Sequence, residues 1–255
     1  MLLAIDIGNT SVAIGIFQEK KLVKHWKIHS QREKTSDEYR IILLNLLSLA
    51  GLKPIQIKAA ILCSVVPPLT PVFQHLLRNL FKTKVLVVGP GLKTGMPILY
   101  ENPLEVGADR VVAAVAAFSK YGGPAIIVDF GTATTFDAVS TQGEYLGGAI
   151  APGIQIAAEA LYLKTAKLPR IEIKKPKRVI GRTTVDSMHS GLYHGYVGLI
   201  SYLVEEIKKE LGGKTKVVAT GGLATFFSPA IKSIDFYEPC LVLEGLRIIY
   251  ERNKE

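Results

Sequence analysis

Residues 2–17 read LLAIDIGNTSVAIGIF, and residues 125–140 read AIIVDFGTATTFDAVS. Each is an apolar β-like run ending in an aspartate, with a glycine two residues later, a hydroxyl-rich turn and a second apolar run. Placing Asp6 on Asp129 also superposes Gly8 on Gly131 and Asn9 on Thr132. Asp-x-Gly occurs in many ordinary hairpins, so one copy would say little. Two copies, each opening an apparent half of the chain behind a buried-looking strand, indicate a duplicated strand–turn–strand unit. A glycine turn between strands lets backbone N–H groups approach a phosphate, and the preceding aspartate can hold a cation. Two such hairpins facing each other would clamp a nucleoside triphosphate.

Working outward, residues 21–29 read as a third strand after a polar turn at 18–21. Ser36 is the expected cap of a helix with Asp37 and Glu38 in its first turn and Tyr39, Ile42, Leu43, Leu46 and Leu47 at helical spacing. Gly51 ends it. Residues 59–66 read as a buried strand stopped by Pro67 and Pro68, followed by a leucine-rich helix to about Leu80 and a strand at 84–88. A Gly/Pro-rich loop leads to a helix over 104–120, which Gly122-Gly123-Pro124 closes. Behind the second hairpin come a strand at 144–151, a helix from about Gly153, a long helix over 184–211 and a strand at 216–219. The turn Thr220-Gly221-Gly222, a short helix, a strand at 234–237 and a closing helix at 241–251 complete the chain. The expectation is an α/β protein of two βββαβαβα lobes, 1–121 and 122–255, each a mixed five-stranded sheet with flanking helices.

Composition agrees with an enzyme of this size. The 255 residues are 48% hydrophobic and 21% charged, enough for one large domain or two packed ones. No uncharged apolar run approaches the roughly 20 residues a membrane span needs, so no membrane association is expected. The chain starts directly with a strand, without a basic leader, and secretion is not indicated. Cys63 and Cys240 are the only cysteines and lack metal-type spacing, which fits a reducing, cytoplasmic location. The net charge is +9, and much of the excess lies at Lys164, Lys167, Arg170, Lys174, Lys175, Lys177, Arg178 and Arg182. A nucleic-acid patch would have aromatic residues interleaved for stacking, and this stretch has none. A solvated loop that raises the local potential for anionic substrates is the plainer reading, and no nucleic-acid partner is expected.

The duplicated order with a D-x-G hairpin at the head of each lobe resembles the actin, hexokinase and acetate-kinase superfamily, built of RNase H-like lobes. In that superfamily ATP lies between the lobes and the two hairpins grip its phosphates. Val217 to Gly222 resembles its adenosine motif; Gly-Gly is also simply a good turn. Within the superfamily, Gly107-Ala108-Asp109-Arg110 discriminates. Together with DIGNT, DFGTATTFD and GRTTVDSMHSG it resembles type III pantothenate kinase, as do SVVPPLT at 64–70, YENPLEVGADR at 100–110, LGGAIAPGI at 146–154 and LEGLRIIYERN at 243–253. One departure is Ala13, where some relatives place a lysine near the phosphates, which weakens the case for a lysine-assisted clamp.

The resemblance implies ATP-dependent phosphorylation of the primary hydroxyl of pantothenate to 4′-phosphopantothenate, the first step toward coenzyme A. Phosphoryl transfer needs positioning and charge neutralisation more than covalent chemistry. Asp109 is the expected general base, and capping its helix or pairing with Arg110 is its plainer role. Arg110 offers a planar fork for the pantothenate carboxylate or polar end. Tyr100, Gly107, Ala108 and Thr184 match pantothenate-side positions, although alone Tyr100 would be a loop aromatic and Thr184 a helix cap. The first hairpin, Asp6, Ile7, Gly8, Asn9, Thr10, Ser11, Val12 and Ala13, with Thr132, Gly221 and Gly222, is the expected ATP-binding set. Asp6 would orient a hydrated Mg²⁺. Asp129 matches the family's site for a monovalent cation, K⁺ or NH₄⁺. Asp137 reads as a polar residue on the solvated face of its strand. Gly191, Gly195 and Gly198 on the long helix fit close packing within the chain, and the family is homodimeric, so a homodimer is expected. A sugar or small-acid kinase of the same superfamily, a non-catalytic regulator binding DNA through its basic loop, and a filament-forming actin-like protein are the competing readings. GADR and the short chain, the intact hairpins, and the lack of larger insertions argue against them in turn.

Overall fold

The structure, a computed structural model, describes residues 1–254. It divides into two compact units, one of residues 1–119 with 240–255 and one of residues 120–239. The closing helix thus belongs with the first unit, where the sequence placed it in the second lobe.

In the first unit β1 (Leu2–Ile7), β2 (Ser11–Gln18) and β3 (Lys21–His29) form an antiparallel meander. They are followed by α1 (Ser36–Leu49), β4 (Ala59–Ser64), α2 (Leu69–Phe81), β5 (Val85–Val87) and α3 (Ala108–Tyr121). The sheet order is β3-β2-β1-β4-β5, with β4 and β5 parallel to β1. Strand periodicity assigns the two faces. Leu3, Ile5, Ile7, Ile14 and Ile16 enter one core with Tyr39, Leu43 and Leu47 of α1 and Phe73, Leu76 and Leu77 of α2. The opposite face carries Ala4 and its β2 partner Gly15, and there the closing helix α7 (Leu241–Asn253) packs. A Cβ on Gly15 would stand 3.0 Å from Leu243 of α7.

The helix cap is one residue earlier than expected. Thr35, not Ser36, accepts from the Glu38 amide, and Glu38 accepts in return from the Thr35 amide at 2.8 Å, a capping box. The helix expected from 104 begins at Ala108. Asn102 and Pro103 start a single 3₁₀ turn, Pro103–Glu105, and the chain is extended at Val106 before restarting at Gly107. The loop before it is held by α7: the Asn253 side-chain amide donates to Lys93 O at 2.8 Å and accepts from Lys93 N at 3.0 Å.

The second unit repeats the plan. Its strands are β6 (Ala125–Phe130), β7 (Ala133–Val139), β8 (Tyr145–Pro152), β9 (Lys216–Thr220) and β10 (Phe236–Tyr237), in the order β10-β9-β6-β7-β8. Read from the meander edge this is the same 3-2-1-4-5 arrangement as in the first unit. Its helices are α4 (Ile154–Lys164), α5 (Thr184–Leu211) and the short α6 (Ala224–Phe227). Ile126, Val128 and Phe130 pack against Tyr193, Tyr196, Ile200 and Val204 of α5, and Phe227 of α6 stacks on Phe130 with ring centroids 5.9 Å apart. Thr183, not Thr184, caps α5, accepting from the Asp186 amide at 3.0 Å. Residues 165–183 form no helix or strand, and the basic side chains there are exposed. Among the described residues no helix is long and apolar enough to cross a membrane.

Candidate active site

In the first unit β1 delivers Asp6 to its end and Gly8 turns the chain. The Gly8 amide donates to Ser11 O at 3.0 Å, and a Cβ at Gly8 would lie 3.1 Å from that oxygen, so the turn is tight. Asn9 and Thr10 are exposed at its tip; the Thr10 carbonyl accepts from Ser30 N, and Arg32 donates to Asn9 Oδ1 at 3.4 Å. Ile7 and Val12 are fully buried in the core, so any contact they make with a ligand runs through their backbone. Ser11 and Ala13 are half-buried.

Parallel pairing of β1 with β4 sets Cys63 beside Asp6, and the Cys63 thiol donates to Asp6 Oδ1 at 3.3 Å. Burial, and then the neighbouring Asp109 carboxylate, push the Asp6 acid from its ordinary 3.8 up to about 7; the Cys63 contact and the Lys27 charge act the other way. Burial and then the Asp6 charge push the Cys63 thiol well up, which keeps its proton in place for that bond. Asp109 lies in the first turn of α3, where its Oδ1 accepts from the Arg110 amide at 2.8 Å. A Cβ on Gly107 would come within 2.6 Å of that oxygen, so glycine there keeps the carboxylate in place. Burial holds the Asp109 acid above the usual range, against the Arg110 amide and guanidinium. Asp6 and Asp109, distant in sequence, are therefore electrostatic neighbours. Cys63 was missed: in AILCS only register with β1 reveals it. Arg110 is half-buried, and Tyr100, 37% exposed, sits in the loop leading to α3.

In the second unit Asp129 ends its strand one residue before the last, half-buried, with Gly131 and Thr132 exposed at the turn. Two other segments close on this hairpin. Gly221, with φ +92°, follows β9, and a Cβ there would run into the Asp129 carboxylate and the Phe130 backbone. Gly153, before α4, leaves no space for a Cβ against the Gly131 and Thr132 carbonyls. Asp129, Thr132 and Gly221 are thereby gathered, with Gly222 exposed beside them. The Tyr196 hydroxyl, hydrogen-bonded to Thr134, is pushed up to about 12, by burial first and also by the Asp129 charge. Asp137 does not lie on a solvated face: it is 1% exposed and accepts from Tyr145 Oη at 2.6 Å and Thr135 Oγ1 at 3.2 Å. It belongs to a buried polar network, which the alternation of the strand did not signal. Thr184 is exposed as the first residue of α5, on an apolar groove of about 530 Å³ that Leu161, Met188 and Leu192 also line.

Among the described residues no group of three or more His, Cys, Asp or Glu side chains is placed to hold a metal ion. Two neighbouring carboxylates, Asp6 and Asp109, fit a hydrated Mg²⁺, which takes one or two protein carboxylates and keeps its waters.

The twice-repeated five-stranded sheet, with a D-x-G turn leaving the first strand of each unit, is an actin-like fold. A solved structure from Porphyromonas gingivalis, provisionally assigned as an N-acetylglucosamine kinase, superposes with a TM-score of 0.53 at 13% identity over 99% of both chains. At that identity the likeness establishes the fold. The family follows from sequence comparison. The family model for type III pantothenate kinase matches residues 2–206. The type III pantothenate kinase of Moorella thermoacetica is 54% identical over 99% of this chain and 100% of its own length, and that of Geobacter sulfurreducens 53% identical over 100% of both. The chain belongs to the type III pantothenate kinase family.

Proposed function

We propose that this protein transfers the γ-phosphoryl group of ATP to the primary hydroxyl of pantothenate, giving 4′-phosphopantothenate and ADP, the first step toward coenzyme A. The observation that carries the chemistry is the juxtaposition of Asp6 and Asp109, one from each motif that marks the family, in one half-buried electronegative site. Asp109 accepts the hydroxyl proton as the oxygen attacks the γ-phosphorus in line; the new O–P bond forms and the bond to the ADP oxygen breaks. Its raised proton affinity makes it a stronger base than an exposed aspartate. Arg110 holds the carboxylate end of pantothenate, with Tyr100, Gly107, Ala108 and Thr184 as further contacts. Within the first unit the hairpin segment 6–13 is suited to ATP phosphates; within the second, residues 131–132 are likewise suited to phosphate and Gly221 and Gly222 to the adenosine. Mg²⁺, oriented by Asp6 through water, neutralises phosphate charge when bound. Asp129, beside a backbone turn that brings in further oxygens, suits K⁺ or NH₄⁺.

A homodimer is supported by α5. Gly191, Gly195 and Gly198 were compatible with packing inside one chain, yet a Cβ at any of the three would meet nothing within 4 Å. The small-residue face is open, and Val185 on the same helix and Ile180 just before it are exposed apolar residues. Two free cysteines, one of them buried, agree with a cytoplasmic location.

The test is a coupled ADP-release assay with ATP, Mg²⁺ and pantothenate, run with K⁺ and then with Na⁺. Pantothenate-dependent turnover that requires K⁺ in the native protein, and loses that dependence in Asp129→Ala, is the expected result. Turnover with a hexose but not with pantothenate would overturn the reading.

A further inference from the structure

The first hairpin, Asp6 to Ala13, contains no lysine or arginine, although it is the segment assigned to a highly charged phosphate chain. A cation is nevertheless set beside it. In the antiparallel meander Asp6 pairs with Ala13, and Ala13 pairs with Lys27 of β3. Directly opposed residues share a face of a sheet, so Asp6, Ala13 and Lys27 form one row on the face opposite the Ile5, Ile7 and Ile14 core. Two interstrand steps of roughly 4.8 Å separate the ends of the row, a span a lysine side chain covers over most of its length. The side chain between them, that of Ala13, is a single methyl group. Lys27 is exposed, and it is the basic side chain whose charge acts on the Asp6 carboxylate. Lys24 differs: it pairs with Ile16, in the alternate set, whereas the side chains that share the face of Lys27 on this strand are His25 and His29. Arg32, the other cation near the turn, is engaged with Asn9 Oδ1 at the tip.

We infer that Lys27 is a phosphate-binding residue of the nucleotide site, its ammonium supplied across the sheet from the third strand to the phosphate chain held at the Asp6 turn. The inference rests on the proposed assignment of that turn to ATP. A compact, mobile ammonium suits a phosphate oxygen as a point charge, and the exposed position leaves it free of any desolvation cost before nucleotide arrives.

Direct binding measured by calorimetry on the full-length protein separates the possibilities. With Lys27→Gln, affinity for ATP and ADP is expected to fall roughly fivefold to fiftyfold while affinity for adenosine is unchanged, because only the charge–phosphate contact is lost. The KM for ATP should rise in step and that for pantothenate stay constant, with Lys27→Arg retaining most of the wild-type values and Lys24→Gln retaining all of them. Equal ATP affinity in wild type and Lys27→Gln overturns the inference, as does an equal loss for ATP and adenosine, or a loss in Lys24→Gln or Arg32→Gln that matches that of Lys27→Gln. Absence of ATP binding in the wild-type protein, or wild-type ATP affinity in a Gly8→Val variant whose turn is blocked, would instead overturn the assignment of the turn itself.

Discussion

Asp109 and Asp6, the two carboxylates proposed for the chemistry, differ in their surroundings. The Asp109 carboxylate accepts from the Arg110 amide and its acid is raised by burial; the Asp6 acid is raised by burial and then by the Asp109 charge. Asp109→Asn is isosteric and keeps a group that can hold the turn, so the fold and ATP binding should survive while kcat falls by roughly 10²–10⁴. Circular dichroism, nucleotide titration and steady-state rates check the three parts. Asp6 also makes ligand-free stability depend on pH. Its acid is raised from 3.8 to about 7 on folding, so between those values the folded chain holds a proton that the unfolded chain has released. The Asp6 contribution is full below pH 3.8 and is lost as pH rises through about 7. Without Mg²⁺ or ATP, Asp6→Asn should therefore gain on wild type as pH rises from 5 to 8, ending roughly 2–4 °C higher in Tm by differential scanning fluorimetry. Cys63 stands between these readings: its chemistry was visible as a residue but its role was not, since strand pairing across 57 residues puts it on Asp6.

The second hairpin works as an element assembled from three segments. Its turn was readable from DFGT alone, and the Gly-Gly after β9 was equally readable as an ordinary turn. What distinguishes Gly221 is its left-handed φ together with the Asp129 carboxylate lying where a Cβ would go. Gly221→Ala is expected to cost about 1–3 kcal/mol of stability and to weaken nucleotide binding together with monovalent-cation dependence, measured by urea melts and ATP titration. Caps were less legible. Thr35 and Ser36, like Thr183 and Thr184, are adjacent hydroxyl residues of similar capping propensity, and only the chain direction entering the helix selects the first of each pair. The start of α3 slipped for a related reason, since the apolar spacing of 104–120 continues through a 3₁₀ turn and an extended residue that periodicity does not register.

At the scale of the whole molecule the closing helix is the instructive case. Leu241, Leu243, Leu246 and Ile249 are all buried, and a Cβ on Gly245 would run into Val112 O of α3, so α7 crosses α3 backbone to backbone within the first unit. That unit is therefore discontinuous in sequence. Deleting residues 240–255 should remove the cooperative melting of the first unit and expose apolar surface that binds ANS, with all kinase activity lost. A truncated chain that melted like the full one would show the first unit to be complete at residue 119.

Sequence alone determined the duplicated α/β plan, the two D-x-G turns and the family, because these are carried by local patterns: alternation, glycine at tight turns, and ordered motifs. Only the tertiary structure decided that Asp6 feels the Asp109 charge and accepts from Cys63, that Asp137 is buried against Tyr145, that Gly221 closes on Asp129, and that Lys27 shares a row with Asp6. Those facts depend on strand register and helix packing between residues far apart in the chain, where one residue of slip exchanges the face of every side chain.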